Sequence, residues 1–152
     1  MSRFTKRAAR VAAILLIAVA ATGFAGCANA PVRAVDLAEG AQTEPVDVSV
    51  DGGAAGVDVT FREITIAPGA TTGTHCHYGQ LIGVVKSGEL THYSETHPGG
   101  VHVYRAGDSL IEGPGYPHEG RNESDADVVL WVTYVIPDGK PLAETDLARC
   151  DP

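Results

Sequence analysis

Residues 128 to 136 read VVLWVTYVI, nine residues without a charge, and Pro137-Asp138-Gly139 stops the run. So short an apolar run, rich in β-branched and aromatic side chains, predicts a strand buried on both faces. Such a strand needs neighbours, and the chain before it supplies several candidates. Leu81–Val85, Leu90–Tyr93, Val101–Tyr104 and Ser109–Glu112 predict further short strands, with Gly88, Pro98-Gly99-Gly100 and Gly107-Asp108 at the breaks. Val57 to Ile66 alternates, but Val57, Val59 and Phe61 are out of phase with Ile64 and Ile66, which predicts a bulge near Arg62-Glu63. Val46, Val48 and Val50 alternate with Asp47, Ser49 and Asp51, as a half-buried strand would. No internal stretch holds helical spacing, so an all-β sandwich or barrel of antiparallel strands is expected.

A chain of 152 residues suits one domain with a real core. It divides into a leader over 1–26, a flexible tether over 27–44, the barrel over 45–136 and a tail over 137–152 packed on the barrel. Pro141–Arg149 predicts one or two amphipathic helical turns in that tail. All 19 acidic residues follow Cys27 but only seven of the 11 basic ones do, leaving that part at −12 with His neutral. This charge excludes nucleic acid and an anionic membrane surface as partners. A small-molecule ligand fits better, and a homodimer is compatible with the sequence.

Arg3, Lys6, Arg7 and Arg10 precede a 14-residue, nearly all-apolar run from Val11 to Phe24. The run is short for a membrane span, which needs about 20 residues, and suits an export signal. It ends in Phe24-Ala25-Gly26-Cys27, which resembles the lipobox of bacterial lipoproteins. That resemblance implies lipidation of Cys27, contact with the membrane only through the lipid, and a place on the outer face of the cytoplasmic membrane. Cleavage after Ala28-Asn29-Ala30, giving a periplasmic or secreted protein, and an uncleaved anchor are the alternatives. With Cys27 lipidated, two thiols remain in an oxidising compartment. Cys76 and Cys150 either pair, pinning the tail across the barrel, or stay as a buried and an exposed free thiol.

The chemistry concentrates in Gly69–Glu89, which contains His75-Cys76-His77, and in Gly113–Asn122, which contains His118. Side chains alternate along a strand, so His75 and His77 share a face and Cys76 takes the other. Two imidazoles on one face are half of a metal site.

The two segments resemble the paired motifs of the cupins, which are small jelly-roll β-barrels. Gly69, His75, His77 and Gly88 match the first motif, G-x5-H-x-H-x3-E-x6-G. Gly107, Gly115, His118 and Asn122 match the second, G-x5-P-x-G-x2-H-x3-N, with Gly113 at its Pro position. The resemblance implies a divalent transition metal on His75, His77 and His118. Leu81 stands where the family places a Glu ligand, and Gln80 is the nearby polar candidate, though strand parity turns it away. The donor set suits Zn, Fe, Cu, Ni or Mn. A barrel that has lost its metal is the alternative.

His92 is expected as a surface histidine, His97 in a loop and His102 pointing outward. Glu112 and Glu119 are expected on a solvated face, with Glu112 as a second candidate support for His118. Tyr78, Tyr104 and Tyr116 wall a pocket or pack in the core, and Arg105 and Arg121 are the cations that a site for acidic substrates would use. Two functions stay open: a metal-dependent dioxygenase or isomerase, and a non-catalytic barrel that binds or senses a small ligand or metal in the cell envelope.

Overall fold

A computed structural model describes residues 34–42 and 46–150. The leader, Cys27 and half of the expected tether lie outside the described residues. No helix among the described residues is long and apolar enough to cross a membrane. Seven antiparallel strands form two sheets: β1 (Val57–Ile66), β2 (Gln80–Ser87), β3 (Glu89–Ser94), β4 (Val101–Arg105), β5 (Ser109–Glu112), β6 (His118–Arg121) and β7 (Val128–Pro137). One sheet has the order β1-β7-β2-β5 and the other β4-β3-β6. Their inner faces enclose Ile66, Leu81, Val85, Leu90, Leu110 and alternate residues of β7. This is the expected all-β jelly-roll barrel.

The apolar run at the end does form the central strand, β7, but its burial differs from expectation. Val128, Leu130, Val132, Tyr134 and Ile136 are buried, while the alternate residues are only half covered. One inner face packs against the second sheet, and nothing covers the other completely.

β1 carries no bulge. Its ten residues pair without a break, from Val57 opposite Pro137 to Ile66 opposite Val128. The phase change instead leaves Val57, Val59 and Phe61 on the outside, with Phe61 81% exposed. Val46–Val50 also differs: it forms no strand and lies exposed. Alternation marks which face a strand would bury, but a strand also needs a backbone neighbour, and this segment has none within the described fold. Near the expected tether's end, the Ala41 amide donates to Gly107 O and the Ser109 amide donates to Ala41 O, so this stretch lies along the barrel.

The β2–β3 hairpin needs its glycine. Gly88 sits at φ +81°, and a Cβ there would lie 2.6 Å from the Asp127 carbonyl oxygen. That combination of positive φ and backbone contact explains why a glycine closes this motif.

The tail is a strap with a single 3-10 turn, Leu147–Arg149, where one or two amphipathic turns were expected. The Asp146 side chain caps it, accepting from Ala148 N. Cys76 and Glu144 exchange both backbone hydrogen bonds, at 3.0 and 2.9 Å. Cys76 and Cys150 are joined by a disulfide with a Cα–Cα distance of 5.9 Å. Tyr78 Oη donates to Glu144 Oε2 at 2.9 Å on the same strap. Closing so long a loop stabilises the fold by about 4 kcal/mol in chain-entropy terms. Cys150→Ser is therefore expected to lower the urea midpoint by an amount equal to about 2–4 kcal/mol, measured against wild type under non-reducing conditions. Equal midpoints would show that the strap does not depend on the bond.

Candidate metal centre

His75 and His77 approach from the segment before β2, and His118 opens β6. The backbone brings them together directly: the His75 amide donates to His118 O at 2.9 Å, and the His118 amide donates to His75 O at 2.8 Å. Their ring centroids lie 4.5–4.9 Å apart. One nitrogen from each ring falls within 4.8 Å of the other two.

The outer nitrogens decide which way the inner ones face. His75 Nδ1 lies 2.8 Å from Gly73 O, His77 Nδ1 2.6 Å from Leu142 O, and His118 Nδ1 3.1 Å from Tyr116 O. A carbonyl oxygen only accepts, so each Nδ1 carries the proton. In the neutral rings every Nε2 then turns a lone pair inward, and a protonated His118 donates from Nε2 towards Glu112.

Glu112, not a solvated residue, fills the space between them. Its carboxylate is buried, with Oε2 3.0 Å from His77 Nε2 and 3.3 Å from His118 Nε2. Oε1 lies 3.1 Å from His92 Nε2, and His92 is 3% exposed rather than a surface residue. Alternation explains both positions. Leu110 and Leu90 point into the core, so the residues two places on, Glu112 and His92, do so as well. That signal was present in the sequence.

Register explains the more important point. Leu81, at the motif's glutamate position, pairs directly with Glu112 across β2 and β5. The carboxylate absent from one strand is supplied by its neighbour. Gln80 lies on the opposite parity of β2, and its amide donates to Ser49 O at 3.2 Å.

Burial pushes the Glu112 carboxyl up, but contacts from His118, His77 and His92 outweigh it and hold the group well below the usual carboxylate range. Burial alone would lower His118, yet the Glu112 carboxylate raises it above an ordinary imidazole. His75 falls below the usual value, chiefly through burial.

The remaining candidates lie elsewhere. His92 Nδ1 is 2.7 Å from His97 Nε2, and the His97 and His102 rings follow at 5.4 Å between centroids. Tyr104 packs in the core, Tyr116 Oη accepts from Gly113 N at 2.8 Å, and Tyr78 binds the tail strap. Glu119 pairs with Arg121 and accepts from Thr71 Oγ1 near the surface. Arg105 pairs with Glu89. Both arginines are solvent-exposed, so no cation faces the histidine cluster from either position.

Residues 62–135, from β1 into β7, match the family model described as the Cupin domain. Among solved structures, DMSP lyase DddQ from Ruegeria pomeroyi DSS-3 is similar at 20% identity and a TM-score of 0.50, over 60% of this chain and 44% of that one. The chain thus spans less than half of that lyase. A conserved protein with a double-stranded β-helix domain from Klebsiella pneumoniae subsp. pneumoniae MGH 78578 matches at 24% identity and a TM-score of 0.47, over 62% and 86%. A cupin-2 domain protein from Shewanella frigidimarina NCIMB 400 matches at 14% identity and a TM-score of 0.43, over 51% and 70%. No curated protein matches the chain. The family model and the barrel support a place in the cupin superfamily.

The titrations predict a pH dependence for the metal-free protein. A raised His118 binds its proton more tightly folded than unfolded, so its contribution is complete below the unfolded value of about 6.5 and is lost as pH rises through the folded one. His75, lowered, works in the opposite sense and only below about 6.5. The melting temperature of chelator-treated protein should therefore fall from about pH 6.5 towards pH 9, and His118→Gln should flatten that limb. A flat wild-type profile over this range would contradict the His118–Glu112 coupling.

Proposed function

We propose that this barrel holds one divalent transition metal on His75, His77, His118 and Glu112 and presents it to a small ligand in the cell envelope. One observation carries the reading: three imidazoles donate outward through Nδ1 and turn Nε2 inward, two of them within 3.3 Å of the buried Glu112 carboxylate. A divalent cation satisfies more of these inward atoms at once than a single proton does, and three nitrogens with one carboxylate oxygen suit Zn, Fe, Cu, Ni or Mn. Gly73, Leu142 and Tyr116 fix the rings through their carbonyls, as outer partners of metal-bound histidines do.

When bound, such an ion lowers the pKa of an attached water or polarises an attached oxygen. The chain's own groups set what reaches it. A cavity of about 40 Å³ borders His75 and Glu112, walled mainly by Ile, Leu and Val with Tyr134. That volume admits a few waters at most, so the interior favours a small ligand. With Arg105 and Arg121 paired outside, the site does not offer them as anchors for an acidic substrate. These features support a binding or sensing barrel. A metal-dependent oxidoreductase or isomerase is the second reading, and one feature favours it: the cavity brings whatever enters directly against Glu112 and His75.

Titration of chelator-treated protein with Zn, Cu, Ni and Fe is expected to load one ion per chain. His75→Ala, His77→Ala and His118→Ala should each weaken binding at least about tenfold, and affinity should fall below about pH 6.5 as protons compete. If wild type binds no better than the triple variant, the barrel is metal-free and the ligand-binding reading replaces this one.

The envelope location rests on the Arg/Lys-rich, apolar leader and on Cys27, and the Cys76–Cys150 disulfide supports an oxidising compartment. Mass spectrometry of native protein should find a mature N-terminus at a lipid-modified Cys27. A chain starting at Pro31, or one keeping Met1, would overturn the lipid anchor.

A further inference from the structure

The metal reading uses two of the three histidines that contact Glu112, His77 and His118, and leaves the third unexplained. His92 stands on β3, in the sheet opposite Glu112, and is 3% exposed. Its Nε2 is fully buried and makes no hydrogen bond. Glu112 Oε1 is only 3.1 Å away but off the axis a hydrogen bond needs. A buried polar atom left without a partner is destabilising, and such atoms in folded proteins commonly mark an absent ion or water.

The outer nitrogen repeats the pattern of the other three rings. His92 Nδ1 lies 2.7 Å from His97 Nε2, a contact that holds one proton. With that proton on His92 Nδ1, its Nε2 is a bare lone pair turned into the pocket beside the carboxylate. With the proton on His97 instead, His92 must carry hydrogen on Nε2, and the off-axis geometry then wastes it. The first arrangement fits the coordinates.

Glu112 also has two separate oxygens to offer. Oε2 faces His77 and His118, whereas Oε1 faces His92. His92, Glu112 and His118 each present one donor atom within 4.8 Å of the others, and all three residues are buried. The donors are two imidazoles and a carboxylate, which again match a first-row divalent metal.

We propose that His92, Glu112 and His118 form a second seat for a divalent transition metal, overlapping the seat of His75, His77 and His118. The two seats share His118, whose inward Nε2 can serve only one ion at a time, so the pocket holds a single ion with two positions. The ion moves between them by exchanging His75 and His77 for His92 while Glu112 and His118 stay within reach of it. This inference rests on the proposed metal-binding function, and the experiment separates the two.

Co(II) and Zn(II) are titrated into the chelator-treated full chain, with a chromophoric competitor, metal analysis after desalting and the Co(II) visible spectrum as readouts. Wild type should bind one ion. The pair His75→Ala/His77→Ala, which leaves only the second seat, should still bind one ion more weakly and with a changed Co(II) spectrum. Adding His92→Ala to that pair should lower affinity at least a further tenfold or so. Far-UV circular dichroism and an intact Cys76–Cys150 disulfide verify folding. His75→Phe/His77→Phe, which keeps ring volume without donors, repeats the test should the alanine pair fail to fold. The second seat is overturned if wild type binds but both folded pairs bind nothing, or if His92→Ala changes nothing in them. If wild type itself binds no ion, the metal-binding function falls first.

Discussion

Glu112 is a carboxylate without solvent, and the arrangement of the barrel's polar interior follows from that. An isolated buried carboxylate takes up a proton rather than bear the desolvation cost. Here three histidine side chains surround it, two from the opposite sheet and one from the segment before β2, and their contacts outweigh the burial. Removing the carboxylate would leave imidazole lone pairs facing one another, and removing the rings would leave a buried charge without partners. Each half is therefore tolerable only because of the other. A cation suits this cluster better than a single shared proton, because more than one inward lone pair must be satisfied.

The tail strap matters for the same reason. His77 is aimed by the Leu142 carbonyl, which comes from outside the seven strands. Leu142 is held in turn by the Cys76–Glu144 backbone pair and by the Cys76–Cys150 disulfide a few residues further on. Cys76 and His77 are adjacent and point to opposite faces, so one strand segment carries the covalent fastening outside and a donor inside. The barrel's outer chemistry thus orients its inner chemistry across a single peptide unit.

The alternation of His75, Cys76 and His77 was enough to place two rings inside and one thiol outside, because strand geometry alone sets that division. The spacing to His118 placed the third ring by likeness to a known motif pair. The same alternation rule, applied from Leu90 and Leu110, also points to His92 and Glu112. Those two residues are polar, and polar residues on short strands are far more often in solvent, so the general tendency hid the local signal. Val46–Val50 shows the reverse failure, with a clear pattern but no neighbouring backbone to pair with.

What the sequence by itself determined is local: strand periodicity, the glycine-closed β2–β3 hairpin, and the facing of His75 and His77. These depend on residues a few positions apart, and the geometry of an extended chain relates them without further information. Only the tertiary structure decided that Glu112 stands opposite Leu81 and so restores the carboxylate missing from the first motif. It also decided that Leu142 orients His77 and that His92 reaches across from the other sheet. Those relations depend on register between strands and on packing between sheets. Both are set by the fit of the whole core rather than by any one segment's pattern.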